Sequence, residues 1–180
     1  MNPNALMIDI ETLGLGMRSV VTQVGFIAGN LETGELYAPA KDVWMDVKAQ
    51  KDREIDFDTV RWWTKQDPAV ISAVLDSAEP RWDADELFTE LQWLAGAYQC
   101  DVWASPATFD LSMLTDLFGG RKPWQYNAER DMMTLYKWLD PDGVLKPPNS
   151  TMAHLASADA RWQFDYLCAL YRRANQLTNP

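Results

Sequence analysis

A chain of 180 residues, 47% of them hydrophobic and nine of them tryptophan, has the apolar material for one compact core without staples. Its formal net charge of −10 argues against tight non-specific binding to long duplexes. It does not exclude nucleic acid, because a metal site gathers carboxylates that stay uncompensated until cations arrive. No stretch approaches the roughly 18 apolar residues of a membrane span, and Met1-Asn2-Pro3-Asn4 carries no basic leader, so a soluble cytoplasmic protein is expected. Cys100 and Cys168 lie far apart with no CxxC spacing, which points away from zinc sites and disulfide frameworks.

The chain shows no repeat and no linker, and a single domain over residues 1–180, with its core from about 6 to 175, is expected. Ala5–Ile10 reads as a short buried strand ending at Thr12-Leu13-Gly14. Ser19–Ala28 is a second β-rich run, and Thr33-Gly34 supplies the hairpin turn into a returning strand over Leu36–Val47, interrupted near Pro39. Asp58 can cap a helix over Thr59–Lys65, and Asp67-Pro68 pairs a cap with proline at the first helical position. Asp83 opens an amphipathic helix with Leu87, Leu91 and Leu94 on one face. A short strand at Asp101–Ala104 precedes a helix over Leu111–Phe118, stopped by Gly119-Gly120. Further helices are expected over Asp131–Leu139 and from about Leu155 to Ala174, with a loop from Pro141 to Ser150 between them. A β-meander followed by alternating helices and strands predicts an α/β domain with a mixed sheet.

Three acidic signals stand out. Asp9 and Glu11 are two apart on an apolar strand, so both carboxylates project from the same face. Burying them without a counter-charge is expensive, and a divalent cation that prefers hard oxygen ligands, Mg2+ or Mn2+, would compensate them. Two solvated acids at a strand end would read the same way. Phe109-Asp110 follows the Asp101–Ala104 strand, where Asp110 could equally be a helix cap and Phe109 a core residue. His154 is the chain's one histidine, five residues before Asp159 where the last helix begins. There its imidazole could overhang a site built on Asp159 and take a proton from water. Small residues around Asp159 (Ala156, Ser157, Ala158, Ala160) suit a helix face that approaches a strand closely.

Taken together, Asp9-Ile10-Glu11-Thr12, Thr108-Phe109-Asp110 and His154-Leu155-Ala156-Ser157-Ala158-Asp159-Ala160 resemble the DEDDh branch of the DnaQ-like 3′-5′ exonucleases. Thr59–Gln66, Val102-Trp103, Pro123-Trp124, Arg130-Asp131 and Gln163 extend the likeness from about Leu6 to Gln163. They narrow it to a compact subgroup that includes a phage exodeoxyribonuclease A and a mycobacterial exoribonuclease. The family usually has Asn where this chain has Ser105, a shorter donor followed by Pro106.

The resemblance implies a ribonuclease H-like fold with a central mixed five-stranded sheet flanked by helices. It implies two divalent cations, Mg2+ or Mn2+, on Asp9, Glu11, Asp110 and Asp159, with His154 as general base. The expected reaction releases nucleoside 5′-monophosphates from the 3′ ends of single-stranded DNA or 3′ overhangs, with RNA 3′ ends as the alternative. A non-cutting binding module on the same scaffold would be the reading from another class. Expected substrate contacts are Thr12, Leu13, Ser105, Phe109, Trp62, Trp63 and Arg130. Trp62 and Trp63 are adjacent on a helix, about 100° apart, so one should face the core and the other a ligand. The likeness places the protein in the cytoplasm of a bacterium or phage-infected cell, and the wealth of tryptophan permits a homodimer.

Overall fold

The computed structural model describes residues 1–75, 78–148 and 154–178. Six strands form one mixed sheet in the order β4-β3-β2-β1-β5-β6. The meander β1 (Asn4–Thr12), β2 (Val21–Asn30) and β3 (Leu36–Met45) is antiparallel, and β5 (Asp101–Ala104) lies parallel to β1. Four of them are read directly from the sequence and the family resemblance implies five, where the sheet has six. The additional edge strands β6 (Glu129–Asp131) and β4 (Arg81–Trp82) have three and two residues, too short to show a period. The turn after β2 has Gly34 at φ 77°, a conformation glycine adopts without cost. β3 runs on through Pro39, and the ladder absorbs it as register shifts opposite Phe26 to Gly29.

Alternation along β1 divides the core in two. Leu6, Ile8 and Ile10 join the cluster under α3 (Ala84–Ala97) and α4 (Ala107–Leu117), with Leu87, Leu91, Leu94, Leu111 and Leu114. Ala5 and Met7 face the opposite way, into the cluster of Phe164, Leu167 and Leu170 from α6 (Ala156–Thr178). By the two-residue period, Asp9 and Glu11 continue the row of Ala5 and Met7 and therefore look toward α6.

Helix starts follow local capping, with two corrections. α1 (Phe57–Trp63) is capped by Asp56, whose carboxylate accepts the amides of Asp58 and Thr59, and Asp58 lies inside the first turn. α4 begins four residues earlier than periodicity suggests, so Asp110 is not its cap. That duty falls on Asp131, 24 residues away, which accepts the Ala107 amide at 2.8 Å and also caps α5 (Met132–Leu139) through Thr134. α3 has the expected Asp83 cap, reinforced by Glu86 in a capping box, and Asp67 caps α2 (Pro68–Leu75) through Ala69. Part of the expected loop from Pro141 to Ser150 lies outside the described residues. No described helix is long and apolar enough to cross a membrane.

Candidate active site

β5 pairs with β1 only as far as Met7, so the last residues of β1 extend beyond their neighbour. The Ile10 amide finds its acceptor on α4, donating to Asp110 Oδ1 at 3.2 Å. A ladder bond replaced by a side chain thus ties Asp110 to Ile10, the residue between Asp9 and Glu11, and brings its charge to bear on both. Asp110 is 4% exposed and Glu11 9%.

The remaining acid and the histidine arrive on the start of α6, which the sheet holds in a prepared seat. Gly25 stands in register with Asp9 on one side and Asp42 on the other. A Cβ on Gly25 would lie 2.0 Å from the Ala156 carbonyl carbon and 2.3 Å from the Ser157 nitrogen, so only glycine lets the helix backbone come this close. The free amides of the first turn are then taken by strand side chains. Ala156 N–H donates to Gln23 Oε1 at 3.1 Å, and Ser157 donates to Asp42 through its amide at 2.8 Å and through its hydroxyl. Asp159 Oδ2 accepts the His154 amide at 2.7 Å, which holds His154 at φ 69°. In this arrangement ligand atoms of Glu11, His154 and Asp159 all lie within 4.8 Å of one another. One helical turn on, Gln163 Nε2 donates to Asp9 Oδ1 at 2.6 Å.

The electrostatics of this centre are one-sided. Burial, then the charges of Asp110, Glu11 and Asp159, raise Asp9 well above the usual carboxylate range. Burial and the neighbouring acids push Glu11 up to about 9. Burial raises Asp110 to about 7 against the opposing pull of the Ile10 amide, and raises Asp159 against that of His154. None of the ion pairs among the described residues reaches these four carboxylates. An acid cluster without a protein cation is costly, and all-oxygen donors beside one imidazole fit hard divalent ions. When all four are ionised, Asp9, Glu11, Asp110 and Asp159 carry four negative charges that no described lysine or arginine offsets.

A groove of about 550 Å³ opens beside the centre, lined by Glu11, Thr12, Leu15, Trp62, Trp63 and Phe109 among others. The two tryptophans divide as expected: Trp63 is 2% exposed and gives its indole N–H to the Thr12 carbonyl, whereas Trp62 is 41% exposed. Two expected substrate residues are placed elsewhere. Leu13 turns to a separate apolar cavity with Met45, Val60 and Val74, and the exposed Leu15 takes the groove position. Arg130 pairs with Asp101 at 3.1 Å, at the far end of β5 beside Ala5, and not with the acid centre. Ser105 lies half-buried at the end of β5, joined to Pro106 by a cis peptide bond. Sequence reasoning missed Gln23, Gly25 and Asp42. Their register across β1, β2 and β3 is the signal, and it becomes visible only once the meander is paired.

The model of the 3′-5′ exoribonuclease Rv2179c-like domain matches residues 4–171. No curated protein matches the chain significantly. Among solved structures, the zinc-bound E. coli ExoI–ssDNA complex superposes with a TM-score of 0.69 at 14% identity over 99% of this chain. Exonuclease I from Methylocaldum szegediense gives 0.68 at 18% identity over 98%. The chain spans 42% of the length of each of these two. S. pombe Pop2p, in an Mg2+- and Mn2+-bound form, gives 0.59 at 14% identity, covering 93% of this chain and 82% of its own. At these identities the superpositions establish a shared ribonuclease H-like fold. Family membership rests on the match over residues 4–171: the chain belongs to the 3′-5′ exoribonuclease Rv2179c-like domain family, among the DnaQ-like 3′-5′ exonucleases.

Proposed function

We propose that the protein is a divalent-metal-dependent 3′-5′ exonuclease that releases nucleoside 5′-monophosphates from single-stranded 3′ ends. The observation that carries this reading is the convergence of Glu11, His154 and Asp159 within 4.8 Å beside Asp9 and Asp110, at the edge of a groove walled by Trp62 and Phe109.

Asp9, Glu11, Asp110 and Asp159 would hold the ions, Mg2+ or Mn2+. Bound there, the cations supply Lewis acidity and offset charge on the phosphate and on the leaving 3′ oxygen. The chain's own groups do the rest. A ring nitrogen of His154 takes a proton from the attacking water. The water oxygen forms a bond to phosphorus as the bond to the 3′ oxygen breaks, and that oxygen takes a proton from solvent, leaving a 5′-monophosphate and a strand shortened to a new 3′-hydroxyl. Gln163 holds Asp9 in place through its amide, and the His154 amide holds Asp159. The groove receives the terminal nucleotide, where Trp62 offers a stacking surface.

The family description makes RNA the first substrate to test. DNA is the second, because the E. coli exonuclease I structures carry ssDNA, a dT13 or a dA16 oligonucleotide. A time course on 5′-labelled single-stranded RNA and DNA of matched sequence, with Mg2+ or Mn2+, separates these. A ladder shortening from the 3′ end, abolished by EDTA and by His154→Ala, is the expected result. Intact label in every lane would leave a binding role in its place.

A further inference from the structure

Trp62 belongs to two environments at once. Its exposed part walls the groove beside Thr12, Leu15 and Phe109. The same ring stands edge-to-face on His154, with centroids 4.8 Å apart and planes at 87°. Trp63 anchors this pair from behind. Its N–H is tied to the Thr12 carbonyl, and its ring meets Trp62 at 5.1 Å and His154 at 6.4 Å, both edge-on.

His154 needs such support. Its backbone is in the left-handed region, uncommon for a residue with a side chain, and is held there by the hydrogen bond its amide donates to Asp159. That bond fixes the Cα and leaves the imidazole free to turn about its side-chain torsions. The direction of the ring is set by what it leans on, and of the two indoles it meets edge-on Trp62 is the nearer, at 4.8 Å against 6.4 Å for Trp63.

We propose that Trp62 is a positioning residue that couples seating of the terminal nucleobase to the orientation of His154. The inference rests on the exonuclease reading above. A planar base entering the groove can stack on the indole. An indole clamped by a base on one side holds the imidazole more narrowly on the other. The base then affects the rate of hydrolysis and not only affinity, so base-bearing 3′ ends are cut in preference to base-less ones.

The chain has one histidine, so histidine-labelled protein gives a single imidazole signal by NMR. The probes are AMP and its base-less counterpart ribose 5-phosphate, each added with Mg2+. AMP is expected to move the His154 signal well beyond ribose 5-phosphate. In Trp62→Leu the two probes should act alike, and Trp62→Phe should restore the difference. Equal shifts by both probes in the wild type, or an AMP-specific shift that survives in Trp62→Leu, would overturn the proposal.

Kinetics give an independent arm, using oligonucleotides with an intact or an abasic 3′ residue. The wild type should cut the abasic end about tenfold more slowly in kcat, the scale of one aromatic contact. Trp62→Leu should lose about the same factor on the intact end and nothing further on the abasic one. Additive losses would mean that Trp62 and the base act separately, and would also overturn the proposal. If the wild type cuts neither oligonucleotide, the exonuclease reading fails, and the histidine signal still decides the coupling.

Discussion

Asp110 and Asp140 are buried to the same degree, 4% and 6% exposed, and the fold treats them in opposite ways. Asp140 ends α5 and receives three donors: the Tyr166 hydroxyl at 2.7 Å and the Val144 and Leu145 amides at 2.9 and 3.0 Å. Burial pushes its carboxyl up, but these bonds outweigh burial and hold it below the usual carboxylate range. Asp110 receives the Ile10 amide at 3.2 Å, but burial, with the charge of Asp131 adding to it, pushes its carboxyl up to about 7, and Asp110 in turn raises Asp9 and Glu11. Asp140 ties down a loop and is satisfied by the protein. Asp110 and its neighbours are left for something the protein does not supply. That contrast is the one expected if Asp140 is structural and Asp110 belongs to the proposed metal site.

The sharpest way to break the comparison is to neutralise one acid on each side. Asp9→Asn should abolish nuclease activity, on the order of a thousandfold or more, since groups that act as a unit fail together. The same variant should melt higher than the wild type in EDTA at neutral pH, because it removes a buried carboxyl whose ionisation burial and the neighbouring acids oppose. Thermal melts beside activity assays check both halves. His154→Ala comes next, with a loss of about 10²–10⁴-fold in kcat, the range of a general base. Its KM should change little.

Gly25→Ala probes the seat of α6. The added methyl meets backbone at 2.0 Å, so it should destabilise by about 1–3 kcal/mol and displace His154 and Asp159. Denaturant unfolding and kcat should fall together. Asp140→Asn should do less, lowering the melting temperature while leaving kcat near the wild-type value.

pH dependence sharpens the same contrast. Glu11 is raised from 4.5 to about 9 in the folded chain, so between those values the folded state binds more protons than the unfolded state. Stability of the metal-free protein is therefore expected to fall as pH rises from about 4.5 to about 9. Asp9 and Asp110 add to the slope in the same direction. Added Mg2+ or Mn2+ should flatten it, as melts at a series of pH values would show. A metal-free protein that gains stability over this range would contradict the account.

Much of this organisation is legible along the chain. Apolar runs and turn residues mark β1, β2 and β5, and Asp83 and Asp67-Pro68 mark their helix starts. The acids are visible as Asp9-x-Glu11, Phe109-Asp110 and His154-x₄-Asp159, because strand and helix periods place side chains on faces. What escapes a linear reading depends on contacts across long separations. Asp131 caps α4 from 24 residues away, so periodicity alone starts that helix too late. Gly25, Gln23 and Asp42 look like ordinary strand residues until α6 is laid across them. Leu13, expected at the substrate, lines a separate cavity and Leu15 lines the groove, where the chain turns after β1 with the Leu13 amide donating to the Val20 carbonyl. Arg130 is drawn to Asp101 by a pairing that a three-residue strand does not announce.

The most direct test of the central claim is a calorimetric titration of the metal-free protein with Mn2+, run on the wild type and on Asp9→Asn and Asp140→Asn. Saturable binding in the wild type and in Asp140→Asn, lost or strongly weakened in Asp9→Asn, is the expected result. No divalent binding in the wild type, or binding that Asp9→Asn leaves unchanged, would contradict the assignment of the four acids as a metal centre.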